Sequence, residues 1–291
     1  MSGASKAREV SGDWPKEVAS LVRALRRDAA WLEEVAVRLT PGRRRLVDVG
    51  CGAGGMALAL SEAAGSDARV VGLDGEELLL AHARRLAAER GFIGIQFVSF
   101  RLEDGVKAFH EAVGCVPDLI WASHVVHHTT DQQETLNMLA TALAPGGQLA
   151  ICEGGLPMRF LPWDVGLGRP GLEARMEVAQ DRRFARRRDD LPGAVPMPYG
   201  WCEALRRAGL RNVMSIPYVI DNPAPPGSDV MIDVLDTLSA QIAKLTESDL
   251  LDEADAVTWG RLLDPDDSAW LGTRDDVHVR TLRQVVIGER A

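Results

Sequence analysis

The stretch Val47-Asp48-Val49-Gly50-Cys51-Gly52-Ala53-Gly54-Gly55 decides the fold. The residues before it, Arg45 to Val49, are short, apolar and β-branched, which suits a buried strand. Those after it, Met56 to Ala64, are small and apolar and suit a helix. Glycines at a strand-to-helix turn let the backbone approach a ligand closely, and the helix N-terminus offers free N–H groups. Two chemistries use such a turn. Gly50, Gly52 and Gly55 satisfy G-x-G-x-x-G, and Asp74 follows about 20 residues on, as a dinucleotide site requires. Asp48, however, precedes the first glycine by two residues and extends the pattern to Asp-x-Gly-x-Gly-x-Gly through Gly54. A carboxylate there suits a ligand with an ammonium group and is badly placed for a pyrophosphate.

Working outward, the chain alternates. Strand patterns at 69–74, 95–100, 118–123 and 148–153 are separated by helix patterns at 76–90, 106–113 and 131–143. The first of these helices places Leu79, Ala83, Leu86 and Ala87 on one face and stops at Gly91. Five strand–helix alternations over 45–153 imply a parallel sheet covered on both faces. Ahead of it, 14–40 reads as a helix through Leu21, Leu25, Leu32, Val35 and Leu39, ended by Pro41-Gly42. Beyond Gly154 the regularity stops. Residues 154–198 carry six prolines and the basic run Arg182 to Arg188. A helix over 199–208, a strand over 211–220, a Pro/Gly loop over 221–229, a helix over 230–251, an acidic stretch over 246–276 and a strand over 277–288 complete the chain. The expected organisation is a helical cap (1–44), a ligand-binding core (45–155) and a lid insertion (156–198). The remainder of the core (199–291) would carry a helical acidic insertion at about 222–276.

The 291 residues are 46% hydrophobic and 26% charged, enough apolar side chain for a real core. The formal net charge of −9 argues against a partner bound mainly through nucleic-acid phosphates. No apolar run approaches the roughly 20 residues that span a bilayer, so no membrane association is expected. Met1 to Val10 has no apolar core of a secretory leader. Cys51, Cys115, Cys152 and Cys202 show no C-x-x-C spacing and read as reduced thiols of a cytoplasmic protein. With 29 arginines and 4 lysines, arginine density alone signals codon bias and not function.

The sequence resembles the class I S-adenosylmethionine-dependent methyltransferases of the small-molecule type. The likeness is carried by Asp48 to Gly54, by Asp74 at the end of the second strand, by Pro117 to His128, and by Leu143-Ala144-Pro145-Gly146-Gly147. By layout it extends to the closing strand pair, which fits the family's antiparallel hairpin. The resemblance implies a Rossmann-like, seven-stranded, mostly parallel α/β sheet with helical caps, and S-adenosyl-L-methionine as cofactor. It implies Asp48, Gly50, Cys51, Gly52, Gly54, Asp74 and Gly75 as cofactor-binding residues, with Asp74 accepting from the ribose hydroxyls. Ser123 and His124 would line the methionine end. Two departures stand out. Relatives often have an acidic residue after the third strand for the adenine amine, where this chain has Arg101; the Leu102 backbone and Glu103, or Asp104, are expected to serve instead. Relatives often have a bulky residue packing on the adenine where this chain has Gly75, so another side chain must cover that face. A nicotinamide-dependent oxidoreductase is the main rival, and Asp48 speaks against it.

His124, His127 and His128 fall at the C-terminal end of the fourth strand, where open α/β sheets gather ligands. Histidine titrates near neutrality and suits a general base; His127 is the first candidate and His128 the second. A pair of histidines here is equally plain scaffold in the family. No metal is expected, because no carboxylate nearby completes a site with them. The implied reaction is methyl transfer to an oxygen or nitrogen of a small molecule, a natural-product intermediate, with oxygen favoured because a base is on offer. A peptide or protein acceptor and a non-catalytic cofactor-binding regulator are the alternatives. The Asn/Asp-Pro-Pro-Tyr signature for nucleic-acid bases is missing, with Ala122 to Val125 in its place. Trp14, Phe160, Trp163, Phe184, Tyr199, Trp201, Trp259 and Trp270 either wall an acceptor pocket or staple the lids to the core. The Arg182–Arg188 run is either a clamp for an anionic group or a solvated face paired with Asp181, Asp189, Asp190 or the acidic stretch.

Overall fold

Strand β1 (Arg45–Val49) lies in the interior of the sheet with its last four residues buried. β2 (Arg69–Asp74) and β4 (Leu119–Ser123) flank it in parallel, Val47 standing level with Val71 and Ile120. Both faces of these strands are covered, which is why they read as unbroken apolar runs. β3 (Ile95–Ser99) and β5 (Gln148–Gly155) extend the parallel array, and β6 (Leu210–Pro223) and β7 (His278–Arg290) close it. The order is β3-β2-β1-β4-β5-β7-β6, with β7 antiparallel to both neighbours. This is the seven-stranded α/β sheet with an antiparallel terminal pair that the sequence implies. The strand order reverses between β1 and β4, which opens a crevice at their C-terminal ends. The computed structural model describes residues 14–291; Met1 to Val10, and the side chains of Trp14 and Leu21, lie outside the described residues. Among those described, no helix is long and apolar enough to cross a membrane.

Helices α1 (Trp14–Leu39), α2 (Gly55–Ala64) and α3 (Glu77–Glu89) pack on one face of the sheet through Val35, Leu39, Leu60 and Leu80. α4 (Gly105–Val113), α5 (Gln132–Ala142) and α7 (Trp201–Arg207) cover the other through Phe109, Leu136, Leu139 and Leu205. A third buried cluster is built mainly from helices and reaches the sheet through Val279 of β7. It joins α6 (Leu172–Asp189), α8 (Asp229–Glu247) and α9 (Glu253–Leu263) through Met176, Leu238 and Trp259. The helix expected over 230–251 is α8, which stops four residues short, and a further helix, α9, forms within the acidic stretch. α8 ends before Asp249, which adopts a left-handed conformation (φ 53°), and the Asp252 carboxylate accepts from Ala254 N to start α9. β6 runs through Pro217 because it is the edge strand, where a missing N–H costs no ladder bond.

The N-terminal helix is tied to the distal cluster by charge. Arg27 on α1, its side chain 8% exposed, pairs with Asp233 of α8 and with Asp28 at 2.9 Å. Asp233 is itself buried, and burial pushes its carboxyl above the ordinary range. Removing one partner of a buried pair strands the other charge. Arg27→Met is therefore expected to lower unfolding stability by about 3 kcal/mol, read as a fall in the urea midpoint. Adding Asp233→Leu to that variant should recover part of the loss.

Candidate active site

The glycine loop is built by contacts only glycine permits at Gly50. Its φ is +68°, and a Cβ there would stand 2.1 Å from Cγ2 of Val125. That contact seats the loop after β1 directly on the turn after β4. Cys51 N donates to Leu73 O at 2.9 Å and so ties the loop to β2. Asp48 is 2% exposed, and its Oδ2 has no hydrogen-bond partner among the described residues. Burial first, with Asp74 nearby adding to it, raises its carboxyl to about 7 against the pull of the Ala57 N–H. A buried oxygen without a donor is a natural place for a ligand's donor. Asp74 accepts from Gly52 N and from Glu76 N, each at 2.9 Å and each through a different oxygen. Each oxygen keeps a lone pair for a further donor. Burial raises this carboxyl too.

The two departures at the adenine side resolve into one arrangement. Arg101 lies across Gly75: a Cβ on Gly75 would be 3.0 Å from Arg101 Cγ and 3.2 Å from its Cζ. The guanidinium is held there by donation to Gly75 O at 3.2 Å and to Glu76 at 3.0 Å. The bulk absent at position 75 is thus supplied by a planar cation 26 residues later in the chain. Asp104 accepts from Arg101 N at 3.0 Å and caps the short 3-10 turn Leu102–Asp104. Leu102 and Glu103 line a cavity of about 450 Å³ between that turn and α5.

The histidines stand on a tight turn held by one carboxylate. Glu153, on β5, is fully buried. Its Oε1 accepts from Val125 N at 2.8 Å and Val126 N at 2.7 Å, and its Oε2 lies 2.6 Å from His127 Nδ1. Because an ionised carboxylate only accepts, Nδ1 carries the proton and Nε2 keeps its lone pair. His124 has φ +54°, an uncommon conformation for a side chain beyond glycine. Its Nε2 lies 2.8 Å from Arg283, which can only donate. Loss of hydration, then Arg283, pulls its pKa down to about 4. His128 is also lowered to about 4, by desolvation and then by the His127 and Arg187 charges. Two of the three imidazoles are therefore neutral at pH 7, and His127 alone is oriented by an acid. The expectation that no carboxylate stands near these histidines is wrong. Ligand atoms of His124, His127 and Glu153 lie within 4.8 Å of one another. A cation there would have to displace the Arg283 donor and sit beside its charge, so the group reads as a hydrogen-bond network.

Residues 43–168 match a family model described as a methyltransferase domain. Over that stretch, under half of the chain, the protein is similar to a methyltransferase domain, in line with the resemblance its motifs carry. The trans-aconitate 2-methyltransferase of Variovorax paradoxus is 33% identical over 111 residues, covering 38% of this chain and 39% of that one. The nocamycin O-methyltransferase of Saccharothrix syringae is 29% identical over 187 residues, covering 62% and 64%. The chain thus spans less than two thirds of the length of these relatives. An O-methyltransferase family protein from Burkholderia thailandensis shares the fold, with a TM-score of 0.50, 14% identity, and coverage of 95% of this chain and 59% of that one.

The structure brings Asp48, Gly50, Cys51, Gly52, Gly54, Asp74 and Gly75 to the C-terminal ends of β1 and β2. Ser123, His124, His127 and His128 stand at the end of β4. Cys51 is buried, and burial pushes its thiol up, so it is not poised as a nucleophile. Of the lid aromatics, Phe184 lies against His127, with ring centroids 6.0 Å apart. Phe160 and Trp259 are fully buried in the distal cluster, and Tyr199 bonds Gln133 at 3.0 Å, which are stapling roles. Glu153 and Arg101 are the residues that motif reading missed as partners. The signal for Glu153 was an acid ending the strand after the histidines, since Ser123 pairs with Cys152 across β4 and β5. Glu153→Ala removes the acceptor of two backbone N–H groups and should cost about 2–4 kcal/mol of stability. In the ¹⁵N spectrum of wild type, His127 should show the Nδ1–H tautomer at neutral pH, and Glu153→Gln should erase that preference.

Proposed function

We propose that this protein transfers a methyl group from S-adenosylmethionine to a hydroxyl oxygen of a small molecule. The observation that carries the reading is the seating of Val125 on Gly50, which joins the glycine loop to the turn that bears the His127–Glu153 pair. Asp48 would receive the cofactor's ammonium group, its unpartnered oxygen being the acceptor, and Asp74 the ribose hydroxyls. The Arg101 guanidinium would cover the adenine face in place of a bulky residue at 75, with the Leu102 backbone and Glu103 at the ring edge. Bound there, the cofactor supplies an electrophilic methyl carbon on a sulfonium sulfur. The protein's contribution is positional, since holding donor and acceptor in line lowers the barrier, and basic. His127 takes the acceptor's hydroxyl proton on Nε2 while Glu153 holds Nδ1 and stabilises the imidazolium. The small-molecule acceptor is supported by the names of the relatives, one of them an O-methyltransferase. A natural-product setting, a cytoplasmic location and action away from nucleic acid belong to the same proposal, as does the division into cap, core and lid.

Calorimetry with S-adenosylhomocysteine, run beside NAD(H) and NADP(H), tests the cofactor. Binding of the homocysteine compound and neither nicotinamide is expected; the reverse result overturns the reading of Asp48. Because Asp48 must be ionised to meet an ammonium group, affinity should fall as pH drops below about 7, by up to about tenfold per unit. Asp48→Asn should weaken binding and flatten that profile. In the free protein the sign is opposite. The folded carboxyl holds its proton more tightly than the unfolded one, so this group's contribution to stability is lost as pH rises from about 4 through about 7. Once an acceptor is in hand, His127→Ala should reduce kcat by about 10²- to 10⁴-fold with little change in homocysteine binding. Full turnover by that variant would point to an acceptor that needs no base, such as a neutral amine.

A further inference from the structure

His124 stands between the two halves of the site. Next along the chain is Val125, which seats on Gly50. The His124 ring meets that of His127 edge to face, with centroids 6.0 Å apart. Beside His127 opens a cavity of about 870 Å³, lined also by His128, Phe184 and arginines of α6. Two of those arginines serve attachment: Arg188 donates to Thr129 O at 2.6 Å and Arg186 to Ser248 O at 3.2 Å. A hydroxyl that reaches from the cavity past His127 toward the glycine loop meets His124.

Arg283 of β7 fixes what this ring can do. Its Nη1 lies 2.8 Å from His124 Nε2. A guanidinium has no acceptor, so Nε2 accepts and the proton of the neutral ring sits on Nδ1. Nδ1 has no hydrogen-bond partner among the described residues, and His124 is exposed. Arg283 is held in turn from the N-terminal helix. Its Nη2 lies 3.8 Å from Asp28, which accepts from Arg27 at 2.9 Å. The Arg283 Nε is buried without an acceptor, an exception of the kind that active sites make. His124 itself holds a left-handed backbone, φ +54°, with its N–H donating to Cys152 O at 3.1 Å. Backbone strain of this sort also gathers where chemistry is done.

Resting on the methyltransferase reading above, we infer that His124 is a second catalytic residue, which donates from Nδ1 to the acceptor's oxygen while His127 takes the proton, and so selects oxygen over nitrogen. Arg283 is the positioning residue that fixes its tautomer. One ring nitrogen of His124 and one of His127 lie within 4.8 Å of each other. Two hydrogen bonds of about 2.8 Å to one oxygen span up to roughly 5 Å, a gap that a single hydroxyl bridges. In the transfer, one lone pair of that oxygen forms the O–C bond as the C–S bond breaks, and the electron pair of the broken bond stays on sulfur. The hydroxyl proton passes to His127 Nε2. The oxygen's other lone pair accepts from His124, which compensates the negative charge that the departing proton leaves. A neutral amine has a single lone pair and spends it in the new bond, so it offers the His124 N–H nothing.

The test uses the full chain saturated with S-adenosylhomocysteine, with 4-nitrophenol and its amine counterpart 4-nitroaniline as probes. In the ¹⁵N spectrum His124 should show the Nδ1–H tautomer, and 4-nitrophenol should shift its ring nitrogens. By absorbance titration, 4-nitrophenol should bind about tenfold or more tightly than 4-nitroaniline. His124→Asn places a residue at ease in the left-handed backbone and should cut that preference by about tenfold. Arg283→Met should erase the tautomer preference and reduce the probe preference with it. Arg283→Lys, which keeps a donor, should restore part of both. Equal weakening of the two probes in His124→Asn, an Nε2–H tautomer in wild type, or no binding of 4-nitrophenol overturns the assignment and leaves the methyltransferase reading standing. Failure of wild type to bind S-adenosylhomocysteine overturns that reading, and the assignment with it.

Discussion

One buried carboxylate organises the reactive end of this molecule. Glu153 has no exposure, and its two oxygens accept three N–H groups from the turn that follows β4. Burying such a charge is tolerable only because every bond is made. Those bonds hold the turn over 125–128 and orient the His127 ring through its Nδ1. Val125, fixed by that bond, fills the space over Gly50 and so sets the glycine loop as well. A single group thereby couples the cofactor-facing loop to the residue proposed to move the proton.

Charge is used differently in three parts of the chain. Around the sheet ends it is buried and compensated, as with Glu153, or buried and waiting, as with Asp48. Between the N-terminal helix and the distal cluster it is a clasp, Arg27 with Asp233. On the lid it serves attachment, Arg175 and Arg188 holding α6 down, while Arg183 lines the cavity beside His127. Loss of hydration at the turn, and then the nearby positive charges, lower the pKa of His124 and His128. This leaves His127 as the imidazole paired to an acid.

Arg101 illustrates a substitution of means. The resemblance leads one to expect a bulky residue after Asp74, and here that position is Gly75. A side chain from beyond the next strand lies in the space, anchored on Gly75 O and Glu76. Arg101 stands where the resemblance leads one to expect an acid after the third strand, so one side chain accounts for both expected departures.

The sequence alone determined the alternating sheet, the glycine loop, and the placement of Asp48, Asp74 and the histidines at strand ends. These are local facts: a strand and the turn after it are written in consecutive residues, and periodicity separates strand from helix. It also divided the chain near Gly154, where the pattern breaks. The early stop of α8 and the start of α9 in the acidic stretch were less legible, because they hang on one residue in a left-handed conformation and one capping carboxylate. The partner of His127, the cover over Gly75 and the sorting of the α6 arginines were decided only by tertiary structure. Each depends on which distant segment becomes a neighbour: β5 beside β4, the turn after β3 beside the end of β2, and α6 beside the histidine turn. A motif records what a residue can do, and the packing of separate elements decides which groups it meets.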